Sequence, residues 1–300
     1  MTEAPLLPLL RSEIFRLRRR WMTWILLLSV AVLAFALYFI IYASVQAQIL
    51  ALQSGTASST NGPPQTEAQL RQTLQTLRPS QVTSFGLGIV SGLGSVLLIV
   101  LTASVFGNEF NWGTLRVILA LGAGRGRFLA AKYAALVLYA TLLTIVGALA
   151  ALAGSEIASS IASLDRTLPA DFAVQLIVNI GRTVFTFLPY IGLAAFIAVW
   201  SKSGGAGIAI GLVVYFAEGI VMSLLVAFNR DYATIANVGL SRNVSAIARL
   251  SGSSSGTGPS AATLPDPSQA GQAALVLIAY TVLFVALAVW RFQGRDITSS

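Results

Sequence analysis

The sequence predicts an all-α polytopic membrane protein with six transmembrane helices, and three observations lead there. The 300 residues are 56% hydrophobic and only 10% charged, whereas a soluble domain carries about 25% charged residues. So few charges could not cover a water-facing surface. Six apolar runs are each long enough to cross a hydrocarbon core of about 30 Å. The basic residues gather beside those runs, mostly on one side, as the positive-inside bias of membrane proteins requires.

Residues 1–20 make a cytoplasmic amphipathic segment. Leu9, Ile14 and Leu17 set against Arg11, Arg16 and Arg18 suggest a short helix in the interface plane, the alternative being a disordered basic tail. Trp21 and Trp24 follow at headgroup level. Residues 21–300 then form a single transmembrane domain, with spans at about 21–44, 84–106, 128–152, 172–200, 206–228 and 272–290. The polar stretch 51–81 holds Leu70, Leu74 and Leu77 at helical spacing. Another short helix is expected within 153–171, where Ile157, Ile161, Leu164 and Leu168 line one face. The stretch 172–200 is longer than the hydrocarbon core at about 1.5 Å per residue, so it must tilt, break or protrude. A tight SKSGG loop leads into the fifth span. Short extracytoplasmic helices are expected in the first half of 229–271, and a flexible low-complexity linker in the second. Gly88 with Gly92, and Gly207 with Gly211, have the small-xxx-small spacing that lets helices approach closely.

Six spans put both termini on one side, and the charges say which. Arg11, Arg16, Arg18, Arg19, Arg20, Arg116, Arg125, Arg127, Lys132, Lys202, Arg291 and Arg295 fall on the proposed inner side. Arg71, Arg78, Arg166, Arg230, Arg242 and Arg249 fall outside. This two-to-one bias makes both ends cytoplasmic. The net charge of +8 therefore orients the chain in a bilayer and does not form a nucleic-acid face.

Several chemistries are excluded. With no cysteine and no histidine, there is no thiolate nucleophile, imidazole base or zinc site. No Walker-type loop occurs; GAGRGRF lacks the Lys-Ser/Thr that would hold phosphate and magnesium. No catalytic residue, bound cofactor or metal site is expected in this chain. Asn243-Val244-Ser245 fits the short glycosylation pattern and carries little weight.

The segment 108–133, NEFNWGTLRVILALGAGRGRFLAAKY, holds the most information. Asn108 or Asn111 is placed to cap a helix with Glu109 near its start. The stretch from Trp112 through Leu115, Arg116 and Leu119 is too apolar to lie free in water, so it calls for a protein or membrane partner. The alternative is a merely basic loop. Gly122, Gly124 and Gly126 then turn the chain, and Arg125, Arg127 and Lys132 mark the inner boundary of the third span.

This segment resembles the loop between helices two and three of ABC-2 type transporter permeases. Glu109, Gly113, Thr114, Leu115, Arg116, Gly122, Arg125 and Lys132 match, in order, that family's acidic residue, Gly-Thr-Leu, basic residue, glycine turn, arginine and lysine. The layout agrees over essentially the whole chain, except for the low-complexity linker at 251–271. The resemblance implies a cytoplasmic coupling helix between helices 2 and 3, seated on a separate ATP-binding subunit that carries ATP and magnesium. Glu109, Arg116 and Arg125 would make polar contacts to it, and Trp112, Leu115 and Leu119 would fill an apolar groove. It also implies a second permease chain, identical or homologous, in a bacterial cytoplasmic membrane, with export as the expected direction. A secondary transporter, a channel or a non-transporting membrane anchor are the alternatives.

Two charges fall within predicted spans, Arg182 in the fourth and Glu218 in the fifth. Ionisable side chains at such depth are costly and mark functional positions. Their depths are close enough for a direct pair or a place on a translocation path. The alternative is that Arg182 snorkels outward and Glu218 faces a water-filled crevice.

Overall fold

The computed structural model describes residues 6–54, 66–111, 124–228, 237–251 and 270–293. Among these there is no strand. Helices α1 (Leu6–Arg19), α2 (Trp21–Gln53), α3 (Glu67–Gln75) and α4 (Leu87–Asn111) are followed by α5 (Arg125–Ile161) and α6 (Phe172–Ser201). Then come α7 (Gly204–Phe228), α8 (Leu240–Arg249) and α9 (Ala270–Gln293). Six helical stretches are long and apolar enough to cross a membrane: Trp21–Gln53, Pro79–Glu109, Gly126–Ile161, Phe172–Ser201, Gly204–Phe228 and Ala270–Gln293. The chain is thus built as a multi-pass helical membrane protein. One end of the bundle carries α1 and the other carries α3 and α8.

Three elements differ in extent from the sequence expectation. The first span was expected to stop near Ser44, but α2 runs on to Gln53. At about 1.5 Å per residue its 33 residues measure roughly 50 Å, well beyond a hydrocarbon core. The surplus turns pack Val45 and Ile49 against Leu70, Leu74 and Leu77, so the predicted leucine stripe of α3 finds its partner there. The second span begins early, through a 3₁₀ turn at Pro79–Gln81 and a π-helical turn at Val82–Gly86. The separate helix expected within 153–171 is instead the last two turns of α5. Ser163, at φ 52°, ends it in left-handed backbone, and Leu164 N–H returns to Ser159 C=O at 2.9 Å.

Of the residues expected to line one face of that stretch, Ile157, Ile161 and Leu168 are exposed and Leu164 packs on the α2–α3 cluster, while Ser155, Ala158 and Ser159 are buried. Ser159 Oγ donates to Leu77 C=O at 2.9 Å. Lipid is as apolar as isoleucine, so small residues turn toward protein and large ones outward.

The most enclosed span is α6, with 67% of its apolar window buried, against 6% for α7. Pro189 interrupts α6 internally, and Tyr133 Oη donates to the adjacent Leu188 C=O at 2.6 Å. Helices α4 and α7 cross at a backbone-to-backbone contact, where a Cβ added to Gly107 would meet Gly204 Cα and N at 2.2 Å. Gly207 and Gly211 extend this crossing against Ala103 and Ile99 of α4, and Gly207 also meets Ala198 of α6, as their spacing suggests. Gly92 has open space beside it.

Candidate functional site

At the α1 end, four charged side chains from three helices converge. The face of α1 that carries Leu10 and Leu17 also carries Glu13, at spacings of three and four residues, so the carboxylate turns inward with the leucines. Lys132, two turns into α5, points its Nζ at Glu13 Oε2 (2.9 Å) and Glu109 Oε1 (2.5 Å). Arg16 Nη1 adds contacts to Glu13 Oε1 at 3.2 Å and Glu109 Oε1 at 3.6 Å. Lys132, Glu13 and Glu109 are 1%, 3% and 5% exposed, whereas Arg16 reaches solvent. The rings of Phe106 and Phe128 stand 5.6 and 5.1 Å from Nζ, over which a cation is favourably placed. Two carboxylates face two cations, so the cluster is neutral as a whole, the condition for holding charges out of water. One further bond ties α2 to α5, from Tyr139 Oη to Thr23 C=O at 2.9 Å.

Sequence reading singled out Glu109 and Lys132 but not Glu13 or Arg16. The usable signal was an acid on the leucine-bearing face of an arginine-rich helix. Both named residues are buried and engage each other. Trp112, Gly113, Thr114, Leu115, Arg116, Leu119 and Gly122 lie outside the described residues, as does the side chain of Arg125, whose backbone opens α5.

At the opposite end, Arg182 and Glu218 do not pair with each other. Each holds one end of α8. Glu218 Oε2 accepts the Ser241 N–H at 2.9 Å, satisfying a donor in the first turn of a helix whose N-cap is Gly239. Arg182 Nη1 donates to Leu250 C=O at 2.8 Å, past the last turn, and to Asn179 Oδ1 at 2.9 Å. Ser251 Oγ donates to the same Asn179 oxygen at 2.9 Å. Carboxylate at the N-terminus and guanidinium at the C-terminus both complement the helix dipole. Arg182 also borders a shallow crevice with Ser91, Thr183, Thr186 and Ser251.

Asn243 is buried, and its amide donates to Asn237 C=O and Gly239 C=O at 2.8 and 2.6 Å. That closes the loop before α8 and leaves the amide unavailable to a glycan.

The bundle is that of a helical multi-pass membrane protein, with a buried ion-pair cluster at the α1 end and charged side chains hydrogen-bonded to the ends of α8 at the other. Residues 75–298 match the family described as "Protein of unknown function (DUF2705)", and the chain belongs to that family. No curated protein matches the chain. The matched stretch begins within α3, so α1 and α2, with Glu13 and Arg16, precede it.

Proposed function

We propose that this chain is the transmembrane permease subunit of an ATP-binding-cassette transporter. It exports a substrate across a bacterial cytoplasmic membrane, with both termini inside, using ATP and magnesium on a separate cytoplasmic subunit. A second permease chain, identical or homologous, completes the assembly. The reading rests on the ABC-2 resemblance of residues 108–133, and one observation supports it mechanically. Glu109 and Lys132 flank the 112–122 segment on either side and meet at 2.5 Å. A force applied to that segment by a partner would therefore reach α4 and α5 at one point, and α1 through Glu13. Such a shared fastening suits an element that passes a partner's closure to the spans.

Co-expression with candidate ATP-binding subunits tests the reading. The chain should co-purify with one and alter its hydrolysis rate, and Trp112→Ala with Arg116→Ala should lower both association and that response. Association unchanged by these substitutions would exclude the coupling assignment. A chain that conducts or exchanges ions in vesicles without any ATPase would be a channel or secondary transporter instead. The absence of cysteine makes orientation directly measurable, since single cysteines at Ser12 and Ser163 should label from opposite sides of the membrane.

A further inference from the structure

The exposed side of α1 carries one strip in which apolar and basic side chains alternate. Leu7 and Ile14 are seven residues apart, and Arg11 and Arg18 follow them by four residues each, so each arginine lies one turn along from an apolar side chain. Leu7 is 77% exposed, and Ile14, Arg11 and Arg18 are exposed as well. Arg19 lies over the Phe15 ring at 4.6 Å, on the side turned away from the bundle.

The junction with α2 places this face relative to the bilayer. Trp21, the first residue of α2, is 83% exposed. Trp24, one turn further into that span, donates its indole N–H to Arg18 C=O at 2.8 Å. Two tryptophans at this position belong at headgroup level, and the bond ties the last turn of α1 to the first turn of α2 at that level. Among the described residues, Arg11, Arg18 and Arg19 have no carboxylate within ion-pair distance. The one acid on α1, Glu13, is held by Lys132 and Arg16.

We infer that α1 is a docking surface for anionic phospholipid headgroups of the leaflet at its end of the bundle. Leu7 and Ile14 enter the acyl boundary, and Arg11, Arg18 and Arg19 meet the phosphates, the arrangement of an interfacial basic helix. The buried Glu13–Lys132 contact fixes the rotation of α1, so the strip cannot roll away from the lipid. The inference depends on the membrane-spanning architecture and is independent of the ATP-coupled reading.

The test is native mass spectrometry of the full chain in neutral detergent, with phosphatidylglycerol and phosphatidylcholine added at equal concentration. The wild type should retain phosphatidylglycerol preferentially. The R11Q/R18Q/R19Q variant should bind it roughly 100-fold more weakly, from the usual contribution of each basic residue near an anionic surface. R11K/R18K/R19K should keep the preference, because the charge remains. Leu7→Ser with Ile14→Ser, which leaves every charge in place, should also weaken retention. A folded triple-glutamine variant with undiminished preference would overturn the inference, as would inorganic phosphate displacing the lipid at equal concentration. Should that variant not fold, the wild type alone decides, and equal retention of the two lipids rejects the assignment.

Discussion

Glu13 Oε2 and Lys132 Nζ lie 2.9 Å apart and almost wholly out of solvent, although 119 residues separate them in sequence. Lys132 also serves Glu109, so one buried ammonium bridges carboxylates from two other helices, with the partly exposed Arg16 as the second cation. Removing it leaves two buried carboxylates with only the half-exposed Arg16 to balance them.

Lys132→Met should therefore destabilise the protein by about 3–5 kcal/mol, the range for a buried pair broken from one side. Thermal unfolding in detergent micelles measures this. The E13Q/E109Q/K132M chain should recover much of the loss, since it buries no unpaired charge. A single K132M variant as stable as wild type would show that the cluster does not hold the folded state.

The two intramembrane charges make a contrasting prediction. Because Glu218 and Arg182 each complement one pole of α8, exchanging them puts both charges at the wrong pole. The R182E/E218R chain should expose the α8 amides to hydrogen exchange more than either single variant does. Each favourable charge-dipole contact is worth about 0.3–2 kcal/mol, enough to read in local exchange. A direct ion pair would behave oppositely, with the exchange of charges restoring protection.

Gly107→Ala should weaken the α4–α7 crossing. Its added Cβ would fall 2.2 Å from the backbone of Gly204, and a backbone cannot rotate aside as a side chain can. Overpacking of this kind costs about 1–3 kcal/mol. Gly92→Ala, where nothing lies within 4 Å, should keep or slightly raise the melting temperature, since alanine is the better helix former, and serves as the matched control.

Asp165 gives the pH prediction. Its carboxylate accepts the Thr167 N–H at 3.0 Å and the Thr167 hydroxyl at 2.9 Å, with Arg78 at 4.0 Å. The backbone N–H first, then the hydroxyl, hold its pKa below the usual aspartate range. A group depressed on folding stabilises the turn above its unfolded pKa, and loses that contribution as pH falls through the folded value. Asp165 should titrate by side-chain NMR below a free aspartate, and Thr167→Val should raise its pKa.

The sequence by itself determined the six apolar helices and the helical first segment, because hydropathy and helical spacing are properties of contiguous residues. It also brought Glu109, Lys132, Arg182 and Glu218 forward, since a charge beside or within an apolar run stands out locally. It misjudged helix ends. Tertiary contacts extend α2 past Ser44 through Val45 and Ile49, and α5 past Leu152 through Ser155 and Ser159. Only the folded bundle decided what the charges do. Glu13 meets Lys132 because α1 docks on α5, and Arg182 and Glu218 stay apart because α8 lies between them. Both outcomes depend on which helices touch, and apolar surfaces that pack equally well on lipid or protein carry no record of that choice.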